Sequence, residues 1–314
     1  MTSHPPSTER ARKRKTMPRF YRLICMVLTI HGFLWILHSR ACLGQEFEEV
    51  VEEEEKPLWE FVLFNTAARI PHYPGSDEAN WYVLPLPYLI YRGDLFRIDR
   101  EGVRGIFYQS EFFETDISLF GNPPVEDDNE ARQGMEDLDS LFEVGPELKW
   151  FFTGRDPLNE LYMRSALRGV FSIGFEDGLD MAYQGLHGGV NLIYNNGRVF
   201  RDQKLRFGFN LGVNFTDADF NDYFYEVEPE DVRPGRPLYD PEGGYAGFSV
   251  GASVAKQLTD TLRWGIYGRW DNIDGTAFDE SPLVREENNF FFGTVLTWRI
   301  YSSERMVKVG GDVE

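Results

Sequence analysis

Gly247-Phe248-Ser249-Val250-Gly251 has the glycine-serine-glycine spacing of a nucleophile elbow, in which a serine on a strained strand-to-helix turn is activated by a histidine. The chain beyond residue 44 offers two imidazoles for that task, His72 and His187. The setting argues against it. Ser249 lies inside an alternating run, facing the opposite way from Phe248 and Val250, and the strand pattern continues past Gly251. His72 and His187 each fall in an expected loop or turn, with no neighbour in sequence that defines a triad or a metal site. A lipid-modifying enzyme would require a tertiary meeting of Ser249 with one of them.

Asp217, Asp219, Asn221 and Glu228 occupy the first, third, fifth and twelfth positions of a calcium-loop pattern. Asp222 stands where that loop needs glycine, and no flanking helices are expected, which excludes an EF-hand and leaves only a cluster of hard oxygen ligands. Arg92-Gly93-Asp94 reads as a tight turn between strands, and Asn214-Phe215-Thr216 as a strand end rather than a glycan acceptor. These readings assign no catalytic, cofactor-binding or metal residue, and they imply no cofactor and no enzymatic activity.

A set of charged residues in apolar stretches follows a rule of two. Glu143, Glu147 and Lys149 alternate with Phe142, Val144, Leu148 and Trp150, and Arg164 and Arg168 alternate with Leu161, Met163 and Leu167. Charges facing hydrocarbon cost about 2–4 kcal/mol near the bilayer midplane, so these are expected to meet inside a barrel. Elsewhere Leu205, Phe207, Phe209, Leu211, Val213 and Phe215 alternate with Arg206, Gly208, Asn210, Gly212 and Asn214. Leu262, Trp264, Ile266 and Trp270 oppose Arg263, Tyr267, Arg269 and Asp271. Phe290, Phe292, Leu296, Trp298 and Ile300 oppose Gly293, Thr297 and Arg299. A strand between lipid and a wet lumen requires this period-two pattern.

The expected fold is therefore all-β, an antiparallel up-and-down transmembrane β-barrel of about twelve strands, within a range of 10–14. The strands are read at 59–70, 81–91, 95–99, 103–109, 112–120, 141–152, 161–173, 188–194, 205–215, 245–258, 262–272 and 290–301. Asn195-Asn196-Gly197 and Thr259-Asp260 read as tight turns, and 121–140 and 216–243 as long polar loops. Six tryptophans, at 59, 81, 150, 264, 270 and 298, fall in or at the start of strands, as interfacial girdles require.

The chain has 314 residues, with 32 basic and 51 acidic side chains. Residues 1–44 read as a signal-peptide region: Arg19 and Arg22 precede the apolar run from Leu23 to Leu37, and Ser39-Arg40-Ala41 fits a cleavage site, with Met17 an alternative start. Both cysteines, Cys25 and Cys42, lie there. Lipidation of Cys42 is disfavoured because Ser39 stands where such signals carry leucine. Beyond residue 44 the chain holds 24 basic and 50 acidic groups, a net charge of −26 that excludes nucleic acid as a partner. Residues 45–57 read as an acidic disordered leader, 58–301 as the barrel and 302–314 as a polar C-terminal extension. The acids at 126–130 and 226–231 read as solvated loops.

The residues between the stripes carry a resemblance. Tyr73-Pro74-Gly75-Ser76, Leu84-Pro85-Leu86-Pro87, Arg132-Gln133-Gly134-Met135 with Leu138, Glu143-Val144-Gly145-Pro146, Arg236-Pro237 with Tyr239-Asp240, Gly243-Gly244 and Ser281-Pro282-Leu283-Val284 resemble the MipA/OmpV family of outer-membrane proteins in order and spacing. The resemblance implies an outer-membrane barrel of a Gram-negative bacterium with lipids as neighbours. It also implies a non-enzymatic scaffold for a murein lytic transglycosylase and a peptidoglycan synthase, and it brings no catalytic residues. The chain departs from the family by continuing past Tyr301, where members commonly end on an aromatic assembly signal. A narrow channel, dependent on Arg206 or Arg263, is the alternative.

Overall fold

The computed structural model describes residues 55–93, 96–99, 102–122, 129–156, 159–174, 180–197 and 199–308. The signal-peptide region, both cysteines, Asp94, most of the acidic leader and residues 126–128 lie outside them. Among the described residues there are fourteen strands: β1 (Glu55–Pro57), β2 (Trp59–Pro71), β3 (Ala79–Arg92), β4 (Phe96–Asp99), β5 (Gly102–Gln109), β6 (Phe113–Asn122), β7 (Ser140–Phe151), β8 (Asn159–Gly174), β9 (Asp180–Asn196), β10 (Leu205–Thr216), β11 (Gly244–Gln257), β12 (Leu262–Asn272), β13 (Asn288–Ser302) and β14 (Met306–Lys308). Strands β2 to β13 form one closed antiparallel barrel, with β13 pairing back onto β2. The twelve expected strands are these twelve.

The alternation follows the predicted facing. On β12, Trp264 and Ile266 are exposed on the outside while Tyr267 and Arg269 are buried within. On β7, Leu148 and Trp150 point out while Glu143, Glu147 and Lys149 are buried in the lumen. Trp59, Trp150, Trp264 and Trp298 ring the end where β2 begins and β13 ends. Trp81 and Trp270 lie at the other end. Two girdles about an apolar belt are what headgroup-level tryptophans produce.

Several local expectations fail. Asn195 and Asn196 do not form a turn; both belong to β9, and Asn195 is buried. The same strand begins at Asp180, eight residues before the expected start. A bulge opposite Val170 and Phe171 shifts the phase at Gln184, so no unbroken alternation marks the strand's first turnless stretch. The 216–243 loop also holds a helix, α1 (Ala218–Tyr225), where none was expected. Asp217 caps it by accepting from the Phe220 amide at 3.1 Å, and Phe220 and Phe224 bury one face. A helix of eight residues rests on tertiary packing rather than propensity, which is why its acidic sequence did not reveal it.

At the leader's end, Glu55–Pro57 pairs antiparallel with Met306–Lys308 of the C-terminal extension. Leu58 N donates to Arg305 O (2.8 Å), and Arg92 Nη1 donates to Pro57 O (2.8 Å). The last three leader residues are thus strand, not irregular chain. They form a ribbon beside the short-turn rim.

Candidate functional site

The lumen has two unlike halves. Strands β2, β3, β12 and β13 turn Phe64, Ala68, Ile70, Leu84, Leu86, Tyr267, Phe291 and Val295 inward as one apolar cluster. Strands β6 to β9 turn charges inward. Lys149 lies 3.2 Å from Glu114, 3.4 Å from Asp116 and 3.6 Å from Glu147. Arg155 and Arg168 reach Glu114 and Glu147, each at 2.7 Å, and Arg168 Nε donates to Ser118 Oγ at 2.9 Å. Lys149 is 2% exposed and Glu114 and Asp116 are 1% exposed, so no water-filled passage runs past them. Lys149 meets three carboxylates, and Glu114 and Glu147 each meet two cations, the kind of compensation under which buried charge is tolerated.

The outer end is covered by a folded cap. Tyr73, Leu138, Leu141, Val170, Phe220, Phe224, Tyr225, Ile273 and Phe278 form one core from four loops and the strand ends beneath them. Tyr225 and Phe278 stack at 4.0 Å, with planes 5° apart. A second cluster joins Ala131, Met135, Val227 and Leu283. Polar groups lock the loops together. Tyr73 OH donates to Leu283 O, Tyr225 OH to Pro74 O and Ser281 Oγ to Tyr225 O, each at 2.8 Å. Arg132 Nη1 donates to Phe224 O (2.9 Å) and Arg236 Nη1 to Ala131 O (3.0 Å). Burial pushes the Tyr73 hydroxyl up to about 12 and the Tyr223 hydroxyl higher still. Desolvation lowers both Arg132 and Arg236.

Most of the stretches that carried the resemblance converge here, whereas residues 84–87 and 143–146 lie in the wall strands β3 and β7. Tyr73 to Ser76, Arg132 to Met135, Leu138, Arg236, Tyr239 and Ser281 to Val284 all contribute to this cap or tie its loops. Gly75 shows why one of them needs its residue type. It adopts φ +97°, its carbonyl accepts from the amides of Arg285 and Glu286 at 2.7 and 3.0 Å, and a side chain there would press on Ile273 and Val284.

The catalytic and metal candidates separate. Ser249 is buried in the lumen on β11, opposite Gly212 of β10, with strand continuing on both sides. His187, on β9, pairs in register with Thr216, four rows further along β10, and its Nδ1 lies 2.9 Å from Glu143 Oε2. Four rows are about 13 Å. His72, in the β2–β3 turn, meets Asn129 Nδ2 at 3.1 Å. The expectation that His187 sits in a loop is corrected: it is a wall residue. Of the calcium-loop set, Asp217 is occupied with the Phe220 amide and the Leu186 amide (2.8 Å). Asn221 accepts from Thr216 Oγ1 (2.7 Å) and donates to Glu242 O (2.6 Å). Among the described residues no group of three or more His, Cys, Asp or Glu side chains is placed to hold a metal. Arg206 and Arg269 are buried in the lumen, and Arg263 Nε donates to Gln257 Oε1 at 2.9 Å.

The sequence reading missed the cap altogether. Its one sequence signal was the apolar content of Asp219-Phe220-Asn221-Asp222-Tyr223-Phe224-Tyr225, aromatic residues at helical spacing inside a loop otherwise rich in acids.

The solved structures similar to this one share little sequence with it. A "Bacterial polysaccharide outer membrane secretin" is 8% identical, with 78% of this chain and 99% of that chain covered and a TM-score of 0.34. "CdiB from Acinetobacter baumannii" is 9% identical over 79% of this chain and 65% of that one, with a TM-score of 0.32. The "COG4313 outer membrane channel from Pseudomonas putida F1" is 9% identical over 80% and 97%, with a TM-score of 0.31. No curated protein sequence matches. A sequence model described as "MltA-interacting protein MipA" matches residues 65–300, from within β2 to within β13. A closed twelve-stranded barrel with an apolar belt and a family match over nearly all of it make this chain an outer-membrane-type barrel that belongs to the MltA-interacting protein MipA family.

Proposed function

We propose that this protein is a non-enzymatic docking barrel in the outer membrane of a Gram-negative bacterium, holding a murein lytic transglycosylase, and with it a peptidoglycan synthase, at the periplasmic end. The observation that carries the reading is the family match, whose description names a protein that interacts with MltA. The packed lumen supports it, because a barrel filled with side chains and covered at its outer mouth is built to persist rather than to conduct. On the short-turn side, the β1–β14 ribbon is joined to the barrel through Arg92, which also pairs with Glu60 at 3.0 Å. That gives a fixed platform from which the acidic leader departs.

The test is capture. Purified barrel in liposomes is incubated with a purified lytic transglycosylase, then with a peptidoglycan synthase, and crosslinked. Retention of the transglycosylase, reduced on deleting 46–55, is the expected result. Equal retention by liposomes without the barrel would sink the proposal, and unchanged capture after the deletion would move the contact to the ribbon and turns. A lipid-modifying role has against it the separation of Ser249 from both histidines. His72→Ala and His187→Ala are expected to leave any lipid turnover unchanged.

A further inference from the structure

Among the described residues, most of β3 has no strand beside it on the side away from β2. That strand is fourteen residues long, yet β4 pairs with it only at Tyr91 and Arg92. β4 has four residues and rises about 13 Å from the short-turn rim, about half of a 25 Å apolar belt even before its tilt is counted. From Ala79 to Ile90, no described strand pairs with β3 on the side away from β2. Nor does any ladder join β3 to β6 above the β4–β5 hairpin.

The sequence is adapted to this open edge. Arg92 N donates to Leu58 O, and His72 N to Glu78 O, at the two ends of the β2–β3 ladder. Its register is unbroken between them, so even-numbered residues of β3 bond to β2 and odd-numbered ones turn their backbone groups to the opening. Pro85 and Pro87 are odd. Two of the five donors between Trp81 and Leu89 that would face the opening are therefore absent, which blocks the addition of another strand. The opening lies within the apolar belt, where Trp81 and Val83 are 62% and 74% exposed. Behind it lies the apolar half of the lumen, with Tyr82 and Tyr88 packed against the cluster that holds Leu84 and Leu86.

We propose that this notch is a lateral lipid site, occupied by an acyl chain of the surrounding membrane, which lies along the proline-bearing edge of β3 and reaches the lumen side of Tyr82 and Tyr88. Hydrocarbon is the solvent on this face, and the edge repels a strand. The site is independent of the proposed docking role.

The test uses the full chain in vesicles of phosphatidylethanolamine and phosphatidylglycerol doped with a phosphatidylcholine that carries a mid-chain diazirine. After illumination, labelled residues are mapped by mass spectrometry. Trp81 and Val83, outside the barrel, are labelled in any case. Tyr82 and Tyr88 are expected to be labelled to a comparable extent, while Asn210 and Ser249, which face the lumen behind continuous ladders, stay blank. Tyr82 and Tyr88 as blank as Asn210 and Ser249 would overturn the proposal. So would a disulfide-linked dimer of Val83→Cys carrying also Cys25→Ser and Cys42→Ser, since no other cysteine then remains and such a dimer would put a second copy on the edge.

Discussion

Phe220 of helix α1 lies flat against the imidazole of His187 in wall strand β9, with centroids 5.6 Å apart and planes 14° apart. The same imidazole bonds Glu143, so a single side chain joins the outer cap to the charged half of the lumen. Gly185, two residues before it, makes this approach feasible. It adopts φ +108°, and any side chain there would collide with Asp217 and the Phe220 amide.

Removing this contact should loosen the cap and leave the barrel closed. Phe220→Ala is expected to cost about 3–5 kcal/mol of local packing. Amides of 218–226 should then exchange faster by hydrogen exchange, while the boiled and unboiled forms still differ in gel mobility. Gly185→Ala should do the same by pushing Asp217 off its cap. Unchanged exchange in both variants would mean the helix is held by other contacts.

Lys149 compensates three carboxylates at once. Lys149→Met is expected to destabilise the barrel by about 3–5 kcal/mol, the cost of leaving buried charge without its partner. Adding Asp116→Asn should recover part of it. The midpoint of urea unfolding, followed by gel mobility, reads both. A neutral Lys149→Met would show that water reaches the network.

The packed lumen predicts electrical silence. In planar bilayers the native protein is expected to show no steps above baseline, and Arg206→Ala or Arg263→Ala should leave it silent. Discrete openings lost on substituting either arginine would establish the channel alternative.

The cap should tighten in mild acid. Burial, ahead of repulsion from nearby carboxylates, raises the titration of Asp222 and Glu226, and Glu230 beside Glu228 raises that group. A folded state that holds its protons more tightly than the unfolded one is most favoured below the unfolded values and loses that advantage as pH rises through the raised ones. Protection of the Phe220 and Phe224 amides, normalised to intrinsic exchange, should therefore fall as pH climbs from about 4 to about 7. Asp222→Asn should flatten the slope. Protection that rises over this range would contradict the assignment.

The twelve strands and the facing of β7, β8, β10, β12 and β13, with the inward charges of β7 and β8, were legible in the sequence, because lipid on one side and lumen on the other impose a period of two on the residues between them. The order of strands followed too, since short turns leave each strand only its neighbours to pair with. The cap was not legible. Tyr73, Arg132, Phe220, Tyr225 and Leu283 lie far apart in the chain, and their shared core exists only once the closed barrel brings its outer loops together over one mouth. The meeting of Glu55–Pro57 with Met306–Lys308 likewise depends on β13 closing onto β2, which sets the start of β2 and the end of β13 side by side. Pro85 and Pro87 could be read as edge signals, but which side of β3 lacked a partner was decided by the height of the β4–β5 hairpin, a property of the folded wall alone.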